Sequence, residues 1–251
     1  MSHSVRVKTA GKTLRLLEII DDLQGGTLGE ITEAAALPKS TTHDYLQTLR
    51  QLGYLIAEDG EYNLSTKFLE LGEKRRRRME IYQPARPEIE RLAHETGEHA
   101  SLLVEENGVG VLLDHEAGDD ALRLDLFVGQ RYPLPVTAPG KAILAHLSAE
   151  RTASILDECE IPAATQNTIT DRDRLYRELE DIREKGYAVD DEEHVQGVRA
   201  VSTPIICRKT VLGAITIGGP VQRLTDDRIA DELPTKLRES ANIIEVNYVH
   251  S

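Results

Sequence analysis

The sequence predicts an α+β chain: a winged helix-turn-helix, then a larger domain built on a mixed, mainly antiparallel sheet. Three observations carry this. Helical apolar spacing recurs three times before residue 52, Asp59-Gly60 then separates two short extended runs, and beyond Pro87 further hairpin signals alternate with helical stretches.

The elements follow in order. Residues 12–23 set Leu14, Leu16, Leu17, Ile19, Ile20 and Leu23 at helical spacing, and Gly25-Gly26 ends that helix. Thr27-Leu28-Gly29-Glu30 has the form of a capping box, with Ile31, Ala34 and Ala35 as the inner face of a short second helix. After the turn at Ala36-Leu37-Pro38, a third helix over 39–51 points Thr42, Tyr45, Leu46 and Leu49 inward and Ser40, Asp44, Gln47 and Gln51 outward. Gly53 stops it, and Tyr54–Ala57 and Glu61–Leu64 form the hairpin. Thr66 opens another helical stretch carrying the basic run Arg75–Arg78, and Pro84 and Pro87 bracket a boundary.

The second half reads as an amphipathic helix closed by Gly97, a hairpin around Asn107-Gly108, and a third strand over Ala121–Val128. Helices follow at 140–147 and 149–158, and a long one opens at Thr170–Asp173 and ends at Gly186. Tyr187–Asp190, Val198–Ile206 and Val211–Gly218 are strand-like, and Pro234–Tyr248 is a closing helix. The expected division is 1–65 for the winged helix, 66–84 for a linking helix and 85–251 for the larger domain.

Composition narrows the class. The chain has 251 residues, 40% of them hydrophobic, enough for ordinary cores, and no apolar run near the ~20 residues of a membrane span. The first residues lack a signal-peptide pattern, and Cys159 and Cys207 are unclustered, so a cytoplasmic protein without disulfides, metal or cofactor is expected. The net charge is −13, all of it beyond residue 80, and 21 Arg stand against 9 Lys. Such a surface fits a salt-loving microbe as well as it fits plain solubility. It is not the basic footprint of a typical nucleic-acid binder, so that function must rest on pattern.

Five segments carry a resemblance. LPKSTTHDYLQTLRQLGYL and YNLSTKFLELG lie in the first domain; LPVTAPGKAILAHL, GYAVDDEEHVQGVRAVSTPI and VLGAITIGGP lie in the second. In this order the chain resembles the IclR family of transcription regulators. The resemblance implies a dimer or tetramer whose N-terminal domain binds double-stranded operator DNA. It also implies a GAF/PAS-like C-terminal domain that binds a small effector, often an organic acid or catabolic intermediate, and controls a catabolic operon.

A helix fits the major groove and presents side chains to base edges there. The candidates for base or phosphate contact are Lys39, Ser40, Thr41, His43, Gln47 and Thr48, with Arg50 nearer the backbone. Asp44 stands where the family commonly has arginine, and the wing tip Glu58-Asp59-Gly60-Glu61 is acidic. In the second domain, Ala138, Pro139 and Gly140 open a helix whose amides suit a carboxylate, although Pro139 lacks an N–H. By resemblance Asp190, Pro204, Thr216 and Gly218 complete the effector pocket. Plain helix capping is the competing reading of Thr137–Lys141.

An enzyme is not expected. HETGEH (94–99) places its second histidine five residues after the first and beyond Gly97, which does not meet the zinc-protease spacing. The remaining alternative is a ligand-free scaffold in which the C-terminal domain only dimerises or binds a protein.

Overall fold

The computed structural model describes residues 6–250, in two compact units that divide at Arg75/Arg76. In the first, α1 (Lys8–Asp22), α2 (Leu28–Ala35) and α3 (Lys39–Gln51) precede the hairpin β2 (Leu55–Glu58) and β3 (Glu61–Leu64). The two-residue strand β1 (Gly26–Thr27) pairs with β3 and completes a three-stranded antiparallel sheet, a pairing that two residues cannot announce in sequence. The capping box at Thr27 forms in full. Asp59 and Gly60 both have positive φ, the requirement of the tightest hairpin turns.

Leu16, Ile20, Ile31, Leu46, Leu49, Leu55 and Tyr62 make the core of this unit. Two helix faces are narrower than the sequence spacing suggests. Ala34 is exposed on α2, Leu14 is exposed on α1 and Leu23 at its C-cap, because a three-helix unit this small covers only one stripe of each helix.

The stretch after the hairpin is the helix α4 (Lys67–Arg77), which the division crosses. Then α5 (Tyr82–Thr96) starts earlier than its prolines imply: Pro84 lies in its first turn, where no N–H is needed, and Pro87 lies inside it. The prolines therefore mark a helix start rather than a break.

The second unit continues with β4 (His99–Glu106), β5 (Val109–Ala117), β6 (Arg131–Pro133), α6 (Ala138–His146), α7 (Ala149–Glu158) and α8 (Arg172–Lys185). It closes with β7 (Ala188–Asp191), β8 (Val198–Cys207), β9 (Thr210–Pro220), a π-helical turn (Arg228–Glu232) and α9 (Leu233–His250). The sheet is antiparallel throughout, in the order β6-β5-β4-β9-β8-β7.

Period-2 alternation gives the sheet two apolar faces. Ala100, Leu102, Val104, Ile215 and Ile217 pack with α5 and α9; Leu103 and Ala214 pack with α6, α7 and α8. The expected strand over Ala121–Val128 is absent. Instead Leu112 on β5 exchanges backbone bonds with Gly129 and Gln130, and 121–127 runs as irregular chain. Its alternation has another cause: Leu124 and Leu126 face a cavity, while Leu122, Phe127 and Val128 are exposed.

Candidate DNA-reading helix and ligand cavity

Pro38 is the N-cap of α3 and supplies no side-chain cap; the first intrahelical bond runs from the Thr42 N–H to its carbonyl. The amides before Thr42 thus stand at the positive end of the helix without intrahelical partners. Lys39, Ser40, His43, Thr48 and Arg50 are exposed on this helix, and Thr41 and Gln47 are half-buried. Two of them are already engaged. The Thr48 hydroxyl donates to the Asp44 carbonyl at 2.8 Å, and Gln47 Nε2 donates to the Tyr62 hydroxyl on β3 at 3.2 Å. The Asp44 carboxylate lies 3.7 Å from His43 Nδ1, so the residue that departs from the family pattern sits beside a candidate reader.

In the second unit a cavity of about 240 Å³ opens on the sheet face that carries α6. His99, Ser101 and Leu103 enter from β4, Thr216 and Gly218 from β9, and Val198 and Ala200 from β8. The register explains the set: Ser101, Thr216 and Ser202 form one cross-strand row, and His99, Gly218 and Ala200 form the next. Tyr132, Leu124, Asp125, Leu126 and Gln130 line the cavity from the irregular segment and β6, and Thr137 and Pro139 from the start of α6. Asp190 closes it from β7, and His194 and Val195 from the turn that follows.

Of the positions named from sequence, Pro139, Asp190, Thr216 and Gly218 lie on this cavity, while Ala138, Gly140 and Pro204 are buried outside its lining. Gly140 spends its N–H on Thr137 Oγ1, at 3.2 Å, and a Cβ there would stand 2.1 Å from the Leu134 carbonyl oxygen. At Thr137–Lys141 the geometry is that of helix capping with close backbone packing. Pro204 pairs with Ala214 within the sheet.

The turn after β7 is held from both ends. Asp190 Oδ1 accepts from the N–H groups of Glu193 (2.7 Å) and His194 (3.3 Å), and the Glu192 carboxylate accepts from the Gly197 N–H at 2.7 Å. Burial pushes the Asp190 carboxyl up to about 6, against the opposing pull of those N–H bonds and of Lys141. Burial also pushes Tyr132 up to about 12 and His194 down, so His194 favours its neutral form. Beneath the turn, the fully buried Lys141 bonds Glu193 at 2.5 Å and Glu178 at 3.3 Å. Sequence reading missed Lys141 and Glu193 as a pair, since 52 positions separate them. It also missed His99 and Ser101, although the alternation of β4 placed them on one face. HETGEH is split by the fold: His94 is exposed on α5 and His99 is buried on β4.

Among the described residues no helix is long and apolar enough to cross a membrane. Residues 9–58 match the IclR helix-turn-helix domain, and residues 74–246 match the bacterial transcriptional regulator IclR C-terminal domain. The chain is 32% identical over 246 residues to the probable HTH-type transcriptional regulator ArcR of Halobacterium salinarum, covering 96% of this chain and 94% of the relative. It is 29% identical to the transcriptional repressor IclR of Escherichia coli, covering 90% and 85% of the two chains. An IclR homolog from Microbacterium hydrocarbonoxydans, solved in complex with 4-hydroxybenzoate, superposes with a TM-score of 0.80 at 25% identity, covering 96% of this chain and 98% of that one. With both family domains present in order along one chain, the protein belongs to the IclR family of DNA-binding transcription regulators, often repressors and not enzymes.

Proposed function

We propose that this regulator binds an operator through α3 and that a small molecule in the cavity of the second unit modulates that binding. The observation that carries the reading is the cavity itself, with mostly aliphatic walls, a few convergent polar groups and a carboxyl of raised pKa. The 4-hydroxybenzoate complex of a homolog supports it. Organic acids and catabolic intermediates are the effector class that the resemblance implies, and a catabolic operon is the matching target.

Lys39, Ser40, Thr41, His43 and Thr48 are the readers we assign to base edges and phosphates. Gln47 reads through its Tyr62-tethered amide, and Arg50 lies nearer the backbone. We assign the chain to a homodimer or a pair of dimers in the cytoplasm, because two half-sites are read by two copies of one helix. A salty cytoplasm accounts for Asp44 and the acidic wing. At 1 M salt the Debye length is ~3 Å, so direct hydrogen bonds to bases outweigh long-range attraction to phosphate.

The test joins two measurements on the full chain: melting temperature against a metabolite panel, and operator retention in a gel with each stabilising compound. A compound that raises the melting temperature and changes operator affinity is the expected result, since a ligand of the native state must stabilise it. Failure of every compound to stabilise favours the scaffold reading.

A further inference from the structure

The place of Asp44 on α3 decides what its carboxylate can meet. At about 100° of turn per residue, Asp44 stands roughly opposite the buried stripe of Thr42, Leu46 and Leu49. Ser40, Gln47, Thr48 and Gln51 lie within about 60° of it around the helix, so Asp44 marks the centre line of the outward face. Lys39 and Arg50 fall together on one flank, about 120–140° round from Asp44, and His43 lies between that flank and the centre.

A helix in the major groove turns its centre line to the floor of base edges and its flanks to the phosphate walls. Lys39 and Arg50 then face a phosphate strand, where cations belong. Asp44 faces the bases, at the point of the helix farthest from either strand. Its carboxylate is also uncommitted. The side chain is 85% exposed, its ion-pair partner is His43 Nδ1 at 3.7 Å, and among the described residues it has no Lys or Arg partner. The Thr48 hydroxyl bonds the backbone carbonyl of Asp44 and leaves the carboxylate alone.

We propose that Asp44 is a specificity-determining residue that accepts from the N4 amino group of a cytosine at one position of each operator half-site. A carboxylate accepts and has no hydrogen to give. In the major groove cytosine offers a donor by itself, and adenine sets its donor beside the N7 acceptor. Guanine presents two acceptors, and thymine an acceptor and a methyl group. The carboxylate is therefore drawn to cytosine and repelled by guanine and thymine.

The proposal rests on α3 as the operator reader, and the experiment separates the two. The full chain selects bound sequences from random duplex DNA, with the parent and each variant at one salt concentration. The parent should select cytosine over guanine or thymine by about tenfold or more at one position per half-site. Asp44→Asn should move that position to adenine, whose N6 and N7 suit an amide, and Asp44→Arg should move it to guanine. Asp44→Ala should leave it unselected, and the other positions keep their preferences throughout. Melting temperature checks that each variant is folded. Ser40→Ala with His43→Ala, run beside them, tests α3 without touching Asp44. If that double variant loses selection while the Asp44 variants keep the parent's letters, the proposal falls and α3 stands as the reader. Asp44 variants that weaken every sequence alike also overturn it, since that is the mark of a residue that only holds His43. A parent that selects any base but cytosine at the position the variants alter overturns it as well. A parent that enriches no sequence overturns both the proposal and the reading of α3.

Discussion

Replacing Lys141 with Met tests the architecture of the second unit at its most heavily buried charge. The Lys141 side chain is 0% exposed, and its two partners differ: Glu193 is 8% exposed and Glu178 is 32% exposed. Methionine fills most of the aliphatic volume but leaves the buried Glu193 carboxyl without a cation. Removing one member of a buried pair costs about 3–5 kcal/mol. Glu178 reaches water and recovers part of its solvation, so the lower end applies, about 3 kcal/mol at neutral pH. For a unit of this size that is a fall in melting temperature of roughly 6–12 °C.

The loss must depend on pH. Burial, the largest influence on Glu193, already raises its pKa, and Lys141 is the main opposing influence; without the lysine it rises further. A carboxyl with a raised folded-state pKa holds its proton more tightly folded than unfolded. Its contribution is complete below the unfolded value and is lost as pH rises through the folded one. The variant should therefore lie closer to the parent at pH 5 than at pH 8. The assay is thermal unfolding of the full chain across that range, with Lys141→Met/Glu193→Leu to complete the cycle. A fall below about 2 °C, or one that ignores pH, refutes the reasoning.

Three further outcomes follow from the same geometry. Ser40→Ala with His43→Ala should abolish operator retention in a gel while leaving melting unchanged, at about 1–3 kcal/mol for each lost base contact; unaltered affinity removes α3 as the reader. Gly140→Ala should destabilise by about 1–3 kcal/mol or more, since the new Cβ meets backbone of Leu134 rather than a movable side chain, and a melting temperature equal to the parent's would contradict that packing. Asp190, raised to about 6 from an unfolded value near 4, contributes stability that is full below about pH 4 and lost as pH rises through 6. Asp190→Asn lacks that titration, so the parent should lose up to about 3 kcal/mol relative to the variant over that window, and a constant gap between their melting curves refutes it.

The winged helix was legible residue by residue because its signals are local. A capping box spans four positions, a hairpin turn needs two residues of positive φ, and one helical stripe decides which side of α3 faces water. The same locality explains the errors. The sequence shows that Ala34 and Leu14 are apolar but not that a unit with so few elements has nothing to lay over them. Likewise Ala121–Val128 alternates as a strand does, yet β5 spends its edge on Gly129–Pro133, and what the alternation records is one wall of a cavity.

The candidate cavity shows the division most clearly. Sequence alone placed Asp190, Thr216, Gly218 and Pro139 together through resemblance, and it noted that Pro139 removes a donor. It had no means of saying which other side chains share that wall. That Thr216 stands 2.9 Å from Ser202 depends on the pairing of β8 with β9, and that Lys141 is sealed away depends on Glu193, 52 positions distant. Charge, propensity and periodicity are properties of neighbours in the chain, and the sequence by itself determined them. Which donors are spent, which carboxylates are buried and which residues share a wall are properties of neighbours in space, and only the antiparallel register and the closing turn after β7 decided those.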